Sequence, residues 1–292
     1  MYHLVALMVM ASICSAEVEF NPRYIRQWTA DLEKEYPGDK PVIAHFKKGT
    51  DELYYLAARH ENNLRAPTLR LVEKLYQHDF DALVIEAFPR SDGQSPSWAL
   101  KEAIDGLKKD FVKGGEPALA ILRANSKKIP FFGGEPDDHE IFRDLKARGF
   151  SDLDVMGFYV VRQIRQWDRE NQSKVHLLER NVPGFVKIYC KKFPMSPCPS
   201  LYEIRSWYKL RTDHELTADV TNREITPLAN GKLFTQKISL AIGDVRDRFT
   251  LNLLGDLINR YHRVAVVYGS GHFTTLKKSL EAAMGKPTYE ED

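Results

Sequence analysis

Four sets of polar side chains stand where apolar runs of the chain end. His60-Glu61 follows "YYLAAR", Glu86 closes "DALVIE", Glu135 with Asp137 and Asp138 follows "IPFFGG", and His272 follows "VAVVYGSG". Two imidazoles and several carboxylates gathered in one place can hold a divalent cation, with a water between the metal and a glutamate base. No contiguous ligand motif such as HExxH is present, so any such set must be assembled by the fold. A histidine or glutamate at a strand end also serves as a solvated turn residue or a helix cap. Glu86 fits that plainer role less well: it follows Val84-Ile85 directly, and a carboxylate so close to a core needs a partner or a shifted pKa.

Gly269 and Gly271 around His272 predict a tight turn and a close approach of ligand to main chain. Thr274 or Thr275 is expected to cap the helix that follows, whose N-terminus would favour an anionic group. A nucleotide site is poorly supported, because the third glycine of GxGxxG is absent and no lysine stands at a P-loop position. Arg246 and Asp247 lie in a long helical pattern. Either they belong to a charged stripe continued by Arg248, or Arg246 reaches the site to hold a carboxylate or steady an oxyanion. His45 and His139 are further imidazoles near turns and rank below His60 and His272.

The elements that must position these groups alternate. "DELYYLAARHENN" reads as a strand, with the amphipathic helix "APTLRLVEKLYQHDF" after it. "DALVIEAFPRSDGQSPSW" is a continuous apolar strand running into a Pro/Gly/Ser loop, and "IPFF" a further strand. "DLDVMGFYVVRQIRQWDREN" is mostly helical. Ile238, Ile242, Val245, Phe249, Leu253 and Leu257 give the long helix before the last strand, "RVAVVYG". Continuous apolar strands alternating with helices predict an α/β fold: a mostly parallel sheet with helices on both faces. In open parallel sheets ligands bind outside the carboxyl ends of the strands, so the four polar sets are expected to share one crevice. "YYLAARHENNLRAPTLRLVEKL" and "VAVVYGSGHFTTLKKSL" look alike, which raises a two-repeat core or a shared βα turn. From about Val182 to Asn230 the pattern weakens, as in a helical or irregular insertion.

With 292 residues, 43% hydrophobic and 28% charged, the chain has the composition of a globular protein. The 42 basic and 40 acidic residues leave a net charge near +2. With no long run of either sign, a nucleic-acid footprint or polybasic membrane patch has little support. Leu4 to Cys14 is a short apolar run, and Ser15-Ala16 suits signal-peptidase cleavage before Glu17. Residues 1–16 are therefore expected to be a signal peptide of a secreted or periplasmic protein, with residues 17–292 as a single domain. The run is too short for a stable membrane span. Two cysteines remain after its removal, Cys190 and Cys198, and are expected to form one structural disulfide.

In order and pattern these motifs resemble the TraB/Tiki superfamily, which also takes in ChaN-like haem-binding proteins and erythromycin esterases. Gly269-Ser270-Gly271-His272 is similar to its second Gly-x-x-His motif, Glu86 to its early strand-end glutamate and Arg246 to its helical arginine. Ala57-Ala58-Arg59-His60 stands where the first Gly-x-x-His motif belongs, with alanine for glycine, and "FFGGEPDD" is similar to the glutamate motif of the esterase-like branch, at Glu135. The resemblance implies one of two functions. The first is a metal-dependent hydrolase of a peptide or ester: His60 and His272 hold a divalent metal ion or one of them acts as base, Glu86 or Glu135 activates water, and Arg246 steadies the carbonyl oxygen. The second is a non-enzymatic, ChaN-like protein that binds haem or another small-molecule ligand, with Tyr54, Tyr55 and Tyr268 flanking the crevice.

Overall fold

A computed structural model describes residues 17–35, 40–89, 97–169 and 172–292. The expected leader, residues 1–16, lies outside the described residues, as does most of the loop after Glu86, residues 90–96. A single 3-10 turn (Pro22–Tyr24) comes first, then α1 (Ala30–Glu35), β1 (Val42–Lys48), β2 (Asp51–Ala58), α2 (Pro67–Leu75), β3 (Ala82–Pro89) and α3 (Ser97–Gly106). A small hairpin of β4 (Leu107–Lys108) and β5 (Phe111–Val112) leads to α4 (Gly115–Lys127), β6 (Phe131–Glu135), α5 (Asp138–Ala147), α6 (Asp152–Arg169) and α7 (Leu177–Lys192). The chain ends with α8 (Leu201–Thr212), α9 (Asn222–Ile225), α10 (Phe234–Tyr261), β7 (Arg263–Gly269), α11 (Ser270–Met284) and β8 (Thr288–Glu290).

Six strands form one sheet in the order β6-β3-β7-β2-β1-β8. β6, β3, β7 and β2 are parallel, and β1 pairs antiparallel with both β2 and β8. The expected α/β architecture is present, with an antiparallel margin the sequence reading did not resolve. β1 escaped it because its apolar run is short: Val42-Ile43-Ala44 gives way at once to His45 and then to Lys47-Lys48.

Successive side chains of a strand point to opposite faces, which explains why these strands read as unbroken apolar runs. Along β7, Ala265 and Val267 pack with Leu56, Ile85, Leu69, Val72 and Leu119 under α2 and α4. Val264, Val266 and Tyr268 pack on the other face with Leu254, Ile258, Phe273 and Leu276 of α10 and α11. A third apolar cluster joins α5 to α8 and includes Ile238, Ile242 and Val245 from the first half of α10. At 1.5 Å per residue the 28-residue α10 is about 42 Å long, enough to serve both layers. Arg246 and Asp247 lie where it passes from the helical layer to the sheet.

Most of α7, with α8 and α9, occupies the interval from Val182 to Asn230, so that segment is largely helical. Its weak pattern has a local cause: Pro183 stands inside α7, and α8 carries exposed Tyr202 and Leu210 beside buried Ile204, Trp207 and Tyr208. Cys190 and Cys198 stand at disulfide distance, with Cα atoms 5.9 Å apart. Among the described residues no helix is long and apolar enough to cross a membrane.

The two strand units that look alike in sequence diverge after the strand. β2 and β7 are adjacent and parallel, with Ala58 opposite Gly269. Eight residues then separate β2 from α2, whereas β7 passes into α11 with no intervening residue. The two helices also cover opposite faces of the sheet.

Candidate functional site

Because four strands are parallel, their carboxyl ends share one edge, and the polar sets arrive there together. Glu86 is at the centre, only 9% exposed. Its Oε2 accepts the Gly269 N–H at 2.6 Å, and its Oε1 accepts Nη2 of Arg246 at 2.7 Å. The same guanidinium forks onto Glu135, with Nε donating to Oε2 at 2.6 Å and Nη2 donating to Oε1. The Tyr268 hydroxyl donates to Glu135 Oε1 at 2.8 Å, and its ring lies 5.8 Å from the guanidinium carbon. Burial pushes the Glu86 carboxyl up, but the Arg246 charge, helped by His272, His60 and the Gly269 N–H, outweighs it and holds the group at about 2. Arg246 is thus fully engaged with two carboxylates, and its charge is answered within the protein.

A carboxylate backs each imidazole. His60 Nδ1 lies 2.6 Å from Oε1 of Glu116, a residue only 2% exposed, and the Glu61 N–H donates to the other oxygen at 3.2 Å. His272 Nδ1 lies 2.5 Å from Oδ1 of the buried Asp247, whose Oδ2 accepts the Thr275 hydroxyl at 2.7 Å. In both rings Nδ1 is engaged and Nε2 faces outward from the pair. The Glu116 hydrogen bond, with the Glu86 charge beyond it, raises His60 from 6.5 to about 8 against the cost of partial desolvation, which favours the imidazolium at neutral pH.

Gly269 has φ −55°, so its backbone is ordinary and the residue is small for another reason. A Cβ there would come within 3.0 Å of Glu86 Oε2 and 3.7 Å of His60 Nε2. The tight turn expected at Gly269 and Gly271 is not formed, since β7 runs directly into α11 and places His272 in the first helical turn. Thr274 and Thr275 accordingly lie inside that helix rather than capping it; Thr274 bonds to the Ser270 carbonyl and Thr275 to Asp247.

Other candidates have structural partners. Glu61 accepts the Thr68 N–H at the start of α2, Asp137 forms a capping box with Glu140 on α5, and Asp138 pairs with Lys192. His45 pairs with Glu52, and His139 is exposed. Glu116 is the residue sequence reading missed. Its signal was the preceding Gly114-Gly115: Gly115 has φ +63°, and a Cβ on it would stand 2.5 Å from the Glu61 carbonyl, so only glycine lets α4 begin this close to the His60 loop.

The described residues contain no group of three or more His, Cys, Asp or Glu arranged to hold a metal ion. His60 and His272 offer one Nε2 each, while the oxygens of Glu86 and Glu135 already accept from Arg246, Gly269 and Tyr268, so the residues as placed are short of a complete ligand set. The tyrosines do not fit a haem: Tyr54 and Tyr268 donate to Glu52 and Glu135, and Tyr55 is enclosed in the core. Compared with known proteins, the chain matches no family model, no curated protein and no solved structure.

Proposed function

We propose that the protein is an exported hydrolase of an ester or amide, working by acid–base catalysis between two carboxylate-backed histidines. The observation that supports this most is the pairing itself: two imidazoles, each fixed through Nδ1 by a buried carboxylate at one edge of a parallel sheet, leave two Nε2 atoms for chemistry. His272, oriented by Asp247, accepts a proton from water. His60 enters neutral solution charged and donates a proton to the leaving group. Carbonyl charge is met by the His60 imidazolium and by the positive end of the α11 dipole, whose first turn carries His272. In this reading Arg246 holds carboxylates rather than steadying an oxyanion, keeping Glu86 ionised and fixing both Glu86 and Glu135 in place. The order of motifs resembling the TraB/Tiki superfamily agrees with a hydrolase, and the apolar leader and the cysteine pair agree with export. The test is hydrolysis of an ester and peptide panel by the chain from Glu17 onward. Turnover that vanishes in His272→Ala supports the reading; turnover unchanged in both His272→Ala and His60→Ala overturns it.

A divalent ion is a second reading, favoured by one observation: imidazoles that ligate metals commonly hold their other nitrogen on a carboxylate, as both rings do here. Two imidazole nitrogens would need ligands from elsewhere, such as substrate. Stoichiometric metal in the purified protein, lost together with activity on chelation, would establish it.

A further inference from the structure

Beside His272 opens a cleft of about 550 Å³, a size typical of small-molecule sites. Asp247 and His272 stand at its inner end, Ile25 and Trp28 of the segment before α1 form one wall, and Leu240 and Ala241 of α10 form another. Two glycines also line it, Gly243 inside α10 and Gly271 in the first turn of α11. Neither has a positive φ, and a Cβ on either would meet no atom within 4 Å. Glycine in a helix interior is about 1 kcal/mol less favourable than alanine. Other glycines are required by packing: at Gly134 a Cβ would stand 2.7 Å from the Tyr268 ring, and at Gly157 2.4 Å from Trp207, whereas Gly184 of α7 and Gly255 of α10 are, like these two, under no such demand but do not line the cleft. At Gly243 and Gly271 no packing and no backbone conformation calls for glycine. What the two positions supply is empty space next to the imidazole.

The chemistry of the walls says what that space receives. Arg148 and Arg248 at the rim both pair with Asp244, and Arg26 pairs with Glu35, so three of the four cations in the lining are already answered; the fourth, Lys237, is exposed on α10. Polar Gln27, Glu33 and Thr226 share the lining, and Ile25, Trp28, Pro227, Leu240 and Ala241 give it an apolar stretch. We propose that Gly243 and Gly271 form the floor of a subsite for an apolar group of the substrate, such as an aliphatic acyl chain whose carbonyl lies at His272. This rests on the hydrolase reading for the carbonyl, and on the cleft alone for the apolar group.

The test fills the floor. Gly243→Leu and Gly271→Leu project into open space, and the milder Gly243→Ala, which suits a helix better than glycine, guards against a folding defect; thermal unfolding checks all three. With p-nitrophenyl octanoate and acetate as probes, the octanoate-to-acetate ratio of kcat/KM falls roughly tenfold or more in the leucine variants. An unchanged ratio overturns the subsite. If the wild type hydrolyses neither ester, binding of neutral octanamide, followed by NMR at the Gly243 and Gly271 amides, decides the matter separately. Binding to the wild type that is lost in Gly243→Leu upholds the subsite while the hydrolase reading falls; no perturbation of those amides, or equal binding to both proteins, overturns the subsite itself.

Discussion

The two histidine–carboxylate pairs are built from the same parts and differ in nearly everything around them. His60 lies on a loop two residues beyond β2, its side chain 69% exposed, with Glu116 reaching it from a helix 56 positions later. His272 lies in the first turn of α11, its side chain 17% exposed and its ring edge-on to Tyr268 at 4.9 Å. Asp247 is held in turn by Thr275, a residue of the same helix as His272. The first pair is a loop imidazole whose charge a buried carboxylate retains. The second is a shielded imidazole whose carboxylate is held by a second residue of the imidazole's own helix. A shared motif therefore specifies an imidazole at a strand end, and the element carrying it sets whether that imidazole is rigid.

The comparison breaks most sharply at His272. His272→Ala should lower kcat for ester hydrolysis by about 10³-fold, and Asp247→Asn by a similar order, because a misoriented imidazole is a poor base. His60→Ala should fall short of that, by about 10²-fold, since an exposed acid is more readily replaced by water. Steady-state kinetics on all three variants rank the pairs, and an equal loss at His60 and His272 would erase the distinction.

Arg246 supports both pairs through Glu86, so Arg246→Met should damage stability before it discriminates between them. Leaving Glu86 and Glu135 buried without their cation should cost about 3–5 kcal/mol, read as a shift of the urea midpoint. The triple change Arg246→Met, Glu86→Gln, Glu135→Gln should recover part of that loss, because the unanswered charges go with the arginine.

Glu116→Gln acts on the first pair alone. His60 should fall from about 8 toward its ordinary 6.5 in an NMR histidine titration, with the His272 resonances unmoved. The same change has a stability counterpart. A group raised from 6.5 to about 8 by folding contributes stability that is fully present below about 6.5 and lost as pH rises through about 8. Wild-type protein should therefore weaken across that window, and Glu116→Gln should weaken less. Glu86, depressed from 4.5 to about 2, works at the other end: its contribution is present above about 4.5 and lost as pH falls toward 2. Denaturant titrations at stepped pH measure both slopes.

Period and chain order made much of this legible. The apolar runs at Leu83–Ile85 and Val264–Val267 specified buried parallel strands, and the strand-end rule placed Glu86, Glu135, His60 and His272 at one edge. Arg246 was visible as a charge on a helix, but its partners were not, because Glu86 and Glu135 lie 160 and 111 positions away. Glu116 was hidden for the same reason: its partner His60 lies 56 positions away, and the preceding Gly114-Gly115 marks only a close approach of α4. The turn at Gly269 was misread because a small residue admits two explanations, backbone freedom and a crowding neighbour, and only the carboxylate of Glu86 shows that the second applies.

β7 enters the sheet between β3 and β2, strands that precede it by well over a hundred residues. Contacts of such sequence separation form slowly and late. A growing chain that has already made the β1–β2 hairpin and the β3–β6 pair still lacks the strand that joins them, and with it Gly269, His272 and the helix that carries them. Neither half can bring His60 near His272 by itself. Until β7 and α11 have been made and β7 has been set between strands already in place, the two imidazoles cannot meet, so assembly of the candidate site waits on the pairing of β7 with both β3 and β2.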